Sequence, residues 1–228
     1  SSLANGGPGA TTAAASEVGY TVGQALRDRT FWIAVLYFGA LFLGISGFSV
    51  HQVPYFESLG LSPPKAAVTL TFVMLTSGVG RLGFGFLSDR LDIRLVLGTV
   101  VILNAAAWLY LIVVDVSSLA GALPFTVLFG IPFGASVVLR PLLMIKLYGI
   151  KNLGALNGLM HAGPLVGGMI GPLLMGRVFD VTGEYTQSVY IFAVVTALVL
   201  PAAFLIRSRP LSPETVRPSP ASSSVGSS

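Results

Sequence analysis

The sequence contains no cysteine, which excludes a disulfide scaffold, a thiolate metal site and a cysteine nucleophile. Charge is nearly as scarce. Asp, Glu, Lys and Arg make up only 10% of the 228 residues, against roughly 25% in a soluble domain. That is too little to coat a water-facing surface. Histidine occurs twice, as His51 and His161, in separate apolar runs, so no metal site and no cofactor is expected. The net charge is +4, yet the basic residues mark the ends of apolar runs instead of clustering, which argues against a nucleic-acid partner. What is abundant is apolar: 54% of residues are hydrophobic and mean hydropathy is +0.83. The composition is that of an integral membrane protein, with the lipid bilayer as its solvent.

The sparse charges divide the chain into spans. Arg29 to Glu57 encloses 27 uncharged residues, Arg94 to Asp115 20, Lys151 to Arg177 25 and Glu184 to Arg207 22. Two more runs reach spanning length with one internal charge each: Lys65 to Asp89 around Arg81, and Asp115 to Lys146 around Arg140. A bilayer-crossing helix needs about 20 apolar residues. Six helices are therefore predicted, over 31–54, 65–87, 95–114, 121–146, 153–176 and 186–206. Runs this long without two-residue alternation favour an all-α, polytopic membrane bundle over barrel strands.

Residues 1–20 are small and polar and read as a flexible interdomain linker. Residues 207–228, rich in Pro and Ser, read as a disordered tail. Residues 21–206 form the bundle, with a short amphipathic helix predicted over 21–30. The opening carries neither an initiator methionine nor a signal peptide, so it reads as the interior of a longer protein. With six spans both ends lie on one side. Loops on that side hold nine basic residues, the other side only Lys65 and Arg177, so both termini are expected in the cytoplasm. The expected location is a bacterial inner membrane or a plasma membrane.

Glycine is placed for close helix contact. Gly163, Gly167 and Gly171 are spaced four apart, as are Gly154 and Gly158, so each set lies along one helix face. Small residues at that spacing let backbones approach and also leave a smooth surface for helices to rock on.

Gly85 to Arg94, joining the second and third spans, reads GFLSDRLDIR. It resembles the loop signature of the major facilitator superfamily, G-x-L-a-D-R-x-G-R-[RK], at Gly85, Leu87, Asp89, Arg90 and Arg94, with Arg94 one place late. Asp92 stands where the family usually has glycine. Four more spans follow, which is the position of the loop between helices eight and nine of a twelve-helix transporter. GPLVGG, from Gly163 to Gly168, resembles the core of the family's antiporter motif, and FDVTGEY, from Phe179 to Tyr185, is similar to a stretch of the oxalate:formate antiporter and monocarboxylate transporter branch. The resemblance implies that the chain is the C-terminal six-helix half of such a transporter, with an N-terminal six-helix half as partner.

Arg81 and Arg140 are the charges inside the spans. A mid-span charge costs roughly 2.5–3.5 kcal/mol to insert, so both are candidates for function. Arg81 lies eight residues before Asp89, ~12 Å along a helix, too deep to snorkel easily. Arg140 lies six before Lys146, ~9 Å, within snorkelling reach of the interface. Both could face a water-filled cavity and bind an anion, since guanidinium stays charged and its fork matches a carboxylate. The alternative is that each pairs with an acid on the partner half or caps helix carbonyls. The resemblance supports Arg81, because that branch carries a substrate-binding arginine on helix eight, one turn before a glycine such as Gly85.

Asn157 and His161 share a helix face and could line the same cavity, as could His51 with Tyr55 at the far end of the first span. By resemblance, Asp89, with Gly85, Arg90 and Arg94, latches one conformation by meeting a helix N-terminus of the other half. No Asp or Glu lies within a span, and Ser77 stands where proton-coupled relatives carry an aspartate. The implied activity is secondary transport of a small organic anion, a mono- or dicarboxylate, by alternating access, and not enzymatic catalysis. Two other readings remain open. Gly44-Ile45-Ser46-Gly47 matches the G-x-S-G of intramembrane serine hydrolases, with His161 as base. The chain could also be a complete six-helix protein that dimerises into a transporter.

Overall fold

The computed structural model describes residues 19–206; the expected tail at 207–228 and all but the last two residues of the expected linker lie outside the described residues. Local capping sets where each helix begins. Thr21 and Gln24 form a reciprocal capping box at α1 (Val22–Arg27), and Asp28 accepts from Thr30 N to start α2 (Arg29–Ser58). Pro63 and Pro64 open α3 (Pro63–Arg90), where a missing N–H leaves nothing unbonded. Asp92 starts α4 (Ile93–Val113) by accepting from Arg94 N at 2.8 Å, and Ser118 starts α5 (Leu119–Tyr148) by accepting from Gly121 N. Between α4 and α5, the Ser117 N–H donates to Asp115 at 2.9 Å and holds its carboxyl below the usual carboxylate range. The chain then forms α6 (Leu153–Met160), α7 (Ala162–Thr182) and α8 (Thr186–Leu205). Gly183, at φ +74°, ends α7 in the left-handed conformation that favours glycine.

Six helical runs are long and apolar enough to cross a membrane, α6 and α7 together counting as one. They extend past several of the expected limits because each helix continues from the apolar run to its cap. One difference is more than an end effect. The helix predicted over 153–176 is broken at His161, whose N–H is shared between the Asn157 and Gly158 carbonyls. Pro164 causes the break: it has no N–H for the Met160 carbonyl, and its ring crowds that turn.

The helices form two sets of three, α2–α3–α4 and α5–α6/α7–α8, related by an approximate twofold pattern of contacts. The middle helix of each set crosses over and packs on the first helix of the other, α3 on α5 and α7 on α2. The last helices, α4 and α8, pack on each other. Glycines make the crossed seams close. A side chain at Gly163, Gly167 or Gly171 would run into the carbonyls of Val35, Gly39 and Leu43 on α2. On the other seam, Gly80 of α3 meets Ile131 of α5, and Gly134 of α5 meets Ser77 of α3. Gly154 and Gly158, by contrast, face nothing within 4 Å.

Inside the bundle, Phe48, Trp108, Phe125, Phe129 and Phe192 interlock, with Phe125 and Phe129 stacked at 5.3 Å. The buried Trp108 N–H reaches Asn104 Oδ1 at 3.0 Å and Thr196 Oγ1 at 3.1 Å, tying α4 to α8. Burial is uneven. At least half of the spanning segments of α2, α4 and α5 is buried, against 22% in α3 and 17% in α6–α7. Leu75, Val79, Leu82 and Phe86 of α3, and Leu165, Met169 and Leu173 of α7, form apolar faces with no cover from the described residues.

Candidate functional site

Arg140 sits on α5, 8% exposed, and reaches the junction of α6 and α7. Its Nη1 donates to His161 Nδ1 at 2.7 Å, its Nε reaches the Ser136 carbonyl at 3.4 Å, and the guanidinium lies 5.8 Å from the Phe42 ring centroid. Guanidinium has only donors, so Nδ1 of His161 accepts and the imidazole proton is on Nε2. His161 in this arrangement is a neutral ligand of a buried cation. Arg140 is not a snorkelling residue: its head is held within the bundle. No acidic side chain among the described residues pairs with it.

Arg81 lies on the exposed flank of α3, beside the α5 seam. No described residue bonds its guanidinium. The structure brings Arg140 and His161 together and gives Arg81 no contact with either. Ser77, one turn before Arg81, is buried with its hydroxyl unpartnered. Asn157 is half-buried on α6, and its backbone carbonyl accepts from the His161 N–H at 3.0 Å.

His51 is half-buried on α2, one turn before Tyr55. Its Nε2 lies 3.2 Å from the Pro172 carbonyl, an acceptor, so it donates across the α2–α7 seam, and its ring sits 5.7 Å from Tyr185. Ser46 has a related role. Pro172 cannot donate to the Gly168 carbonyl one turn before it, and the Ser46 hydroxyl supplies that bond at 3.0 Å. Ser46 and His161 thus bond different partners, which leaves the hydrolase reading without a nucleophile–base pair. Ser46→Ala is expected to cost only about 0.6–1.7 kcal/mol in detergent melting experiments. A fluorophosphonate probe is expected to leave Ser46 unlabelled; labelling would restore the hydrolase reading.

At the end of the bundle bearing the Gly85–Arg94 loop, Lys146 of α5 donates to the Ser88 carbonyl and fastens the last turn of α3. Arg90 lies 4.3 Å over the Phe86 ring, and a Cβ added at Gly85 would come into ordinary contact with Val138. Asp89 is exposed, with no bond from the described residues, while Arg94 Nε is buried without a partner. Asp92, a departure from the family's glycine, makes the short turn workable as the cap of α4. In the sequence alone Lys146 reads only as a loop charge. Its hydrogen bond crosses 58 positions and leaves no local pattern to read. The same is true of Tyr148, whose carbonyl accepts from Tyr20 N and whose hydroxyl reaches Asp28, so that α5 holds the entry to α1 and α2. Among the described residues no group of three His, Cys, Asp or Glu could hold a metal ion.

Two crossed three-helix sets joined by glycine seams, with a buried arginine between them that has no acidic partner among the described residues, form a polytopic membrane bundle. Sequence comparison agrees: the Major Facilitator Superfamily description matches residues 33–225, and the chain belongs to that family. Among similar proteins, Monocarboxylate transporter 12 of Homo sapiens is 29% identical over 158 residues, 68% of this chain and 31% of that protein. Monocarboxylate transporter 13 of Bos taurus is 26% identical over 212 residues, 90% of this chain and 45% of that protein. The Nitrite extrusion protein of Bacillus subtilis is 27% identical over 164 residues, covering 70% and 40%. The crystal structure of the E. coli fucose:proton symporter matches with a TM-score of 0.67 at 20% identity, over 82% of this chain and 45% of that one. That likeness is one of fold. The chain spans less than half the length of these relatives.

Proposed function

We propose that this chain is the C-terminal half of a secondary transporter that moves a small organic anion, a mono- or dicarboxylate, by alternating access between two six-helix halves. The observation that carries this reading is Arg140: a cation 8% exposed within an apolar bundle, held by a neutral imidazole and by no carboxylate of the described residues. A buried charge is stable only when paired, and a solute carboxylate supplies the pairing that the bundle itself does not. Arg81, on the α3 flank, is proposed as the second anion ligand, with Asn157 and His161 lining the same space. The names of the relatives, two monocarboxylate transporters and a nitrite extrusion protein, concern anions and favour this substrate class.

The uncovered faces of α3 and α7 favour an N-terminal six-helix half as the partner, with substrate held between the halves near mid-membrane. Asp89, Arg90, Arg94 and Gly85 are proposed as the latch between halves. Both ends of the chain are assigned to the cytoplasm on the nine-to-two distribution of basic residues.

The test is uptake by the full-length protein in liposomes, with a panel of lactate, formate, pyruvate and oxalate. Saturable uptake of at least one is expected. Arg81→Ala is expected to slow it about tenfold or more at low substrate, the loss of one charge-assisted contact. Unchanged uptake by that variant removes Arg81 from the site, and uptake of none of the panel overturns the anion reading.

A further inference from the structure

The contact between Arg140 and His161 has two properties that bear on coupling. It exists only while the imidazole is neutral, because an imidazolium has two N–H donors and nothing to accept with. It also occupies a donor of the very group proposed to bind the anion. We propose that His161 is the proton-uptake site of this transporter: substrate carboxylate and His161 compete for the Arg140 N–H donors, and the displaced imidazole takes up one proton. This rests on the anion-transport reading above and adds the coupling to it.

The chemistry balances without a further reactant. A carboxylate approaching Arg140 offers two anionic oxygens to the guanidinium fork, where the imidazole offers a single neutral nitrogen. Nη1 then bonds the carboxylate and Nδ1 of His161 is freed. A proton from water adds to Nδ1, Nε2 keeps its own, and the imidazolium stands beside the new negative charge. Before the carboxylate arrives, a proton on His161 would lie 2.7 Å from a guanidinium and would break the bond. Anion and proton therefore each favour the other, by equal amounts.

Two features of the fold suit His161 to this. Its side chain is exposed on the bundle while Arg140 is buried, which leaves the imidazole room to turn away from the guanidinium. It also stands at the junction of α6 and α7, as the last cap of one and the first of the other. Among the described residues, the charged groups on the neighbouring elements are engaged elsewhere or distant, and Arg27, which ends the α1 helix that packs on α6, makes no hydrogen bond to His161. On α5 the facing group is Arg140, and Lys146 bonds Ser88 at the bundle end. The α2 surface presents Phe42, and His51 is engaged with Pro172. No charged or titratable residue occurs in α6, and Lys151 precedes His161 by ten residues, ~15 Å of helix. On α7, Arg177 and Asp180 are at the far end, ~24 Å or more away. Arg81 is on α3, which packs against α5 instead of α6 or α7.

The experiment measures binding of the same four carboxylates to the purified full-length protein from about pH 5.5 to about pH 8.5, a range that brackets free imidazole and leaves carboxylates ionised. The expected wild-type result is affinity weakening by about tenfold per pH unit on the alkaline limb, the slope of one linked proton. Calorimetry in two buffers of different ionisation heat is expected to record uptake approaching one proton per carboxylate bound, and it needs no variant. His161→Gln keeps an acceptor for Arg140 but cannot titrate; it is expected to bind with less than about twofold change across the range. A flat wild-type profile, no proton uptake, or an unaltered slope in His161→Gln overturns the coupling while leaving anion binding intact. Binding of none of the four at any pH overturns the anion reading itself.

Discussion

Arg140→Gln is expected to weaken carboxylate binding by roughly 10- to 150-fold, the equivalent of losing about 1.5–3 kcal/mol of charge-assisted hydrogen bonding. The more discriminating expectation is the sign of its effect on stability. Glutamine keeps an amide donor but is shorter than arginine, so the hydrogen bond to His161 Nδ1 goes with the guanidinium. Also lost is a buried positive charge with no acidic partner among the described residues. Removing it relieves a desolvation penalty of several kcal/mol that the imidazole offsets only in part. The variant should therefore melt at the wild-type temperature or above it while binding collapses. This is the opposed pattern of a residue kept for function at the expense of stability. If Arg140 served only to tie α5 to α6–α7, binding and melting temperature would fall together. Thermal unfolding monitored in detergent, beside equilibrium binding of lactate and oxalate, separates the two.

The membrane architecture was legible because one physical constraint dominates it. A bilayer forbids unpaired charge, so positions such as Arg29, Glu57, Lys65 and Glu184 delimit the spans, and counting between them yields the six runs found. The Gly85–Arg94 loop and the family assignment were legible for a different reason: that loop is short and continuous, so its pattern survives in sequence. What escaped was everything that depends on which helix faces which. Arg81 and Arg140 look equivalent in sequence, each a lone charge in an apolar run. In the fold one is exposed on a flank and the other is buried against a histidine 21 positions away. Ser46 matched a catalytic string, yet its hydroxyl serves a carbonyl that Pro172 leaves unbonded on another helix. The break at His161 had a local cause in Pro164, but a proline in the first turn of one helix looks the same as a proline interrupting a longer one. Asp92 is the converse case. Compared with the family's pattern it is a departure; compared with helix-capping chemistry it is one of the best residues for its place.

Gly167→Leu is expected to disrupt folding severely. The α2–α7 seam brings two backbones together, with Gly163, Gly167 and Gly171 stacked against the carbonyls of Val35, Gly39 and Leu43. In lipid no hydrophobic force drives helices together, so dispersion contact and close backbone approach carry the association. A Cβ at Gly167 meets main-chain atoms of Gly39 and Leu43, which cannot rotate aside as a side chain would. The helices must separate along the seam, and the Ser46 and His51 hydrogen bonds to Gly168 and Pro172 would lengthen with them. Overpacking costs about 1–3 kcal/mol where side chains can adjust; here the loss should reach about 3 kcal/mol or exceed it, enough to remove folded protein from a size-exclusion profile. Gly154→Leu is the matched control, since nothing of the described residues lies within 4 Å of a Cβ at that site. It adds the same side chain to the same membrane run, so any general effect of bulk or hydropathy appears in both variants. Normal folded yield for Gly154→Leu with loss for Gly167→Leu locates the effect in the seam; equal loss in both would place it in the membrane run as a whole and refute the seam as the element that holds α7 to the bundle.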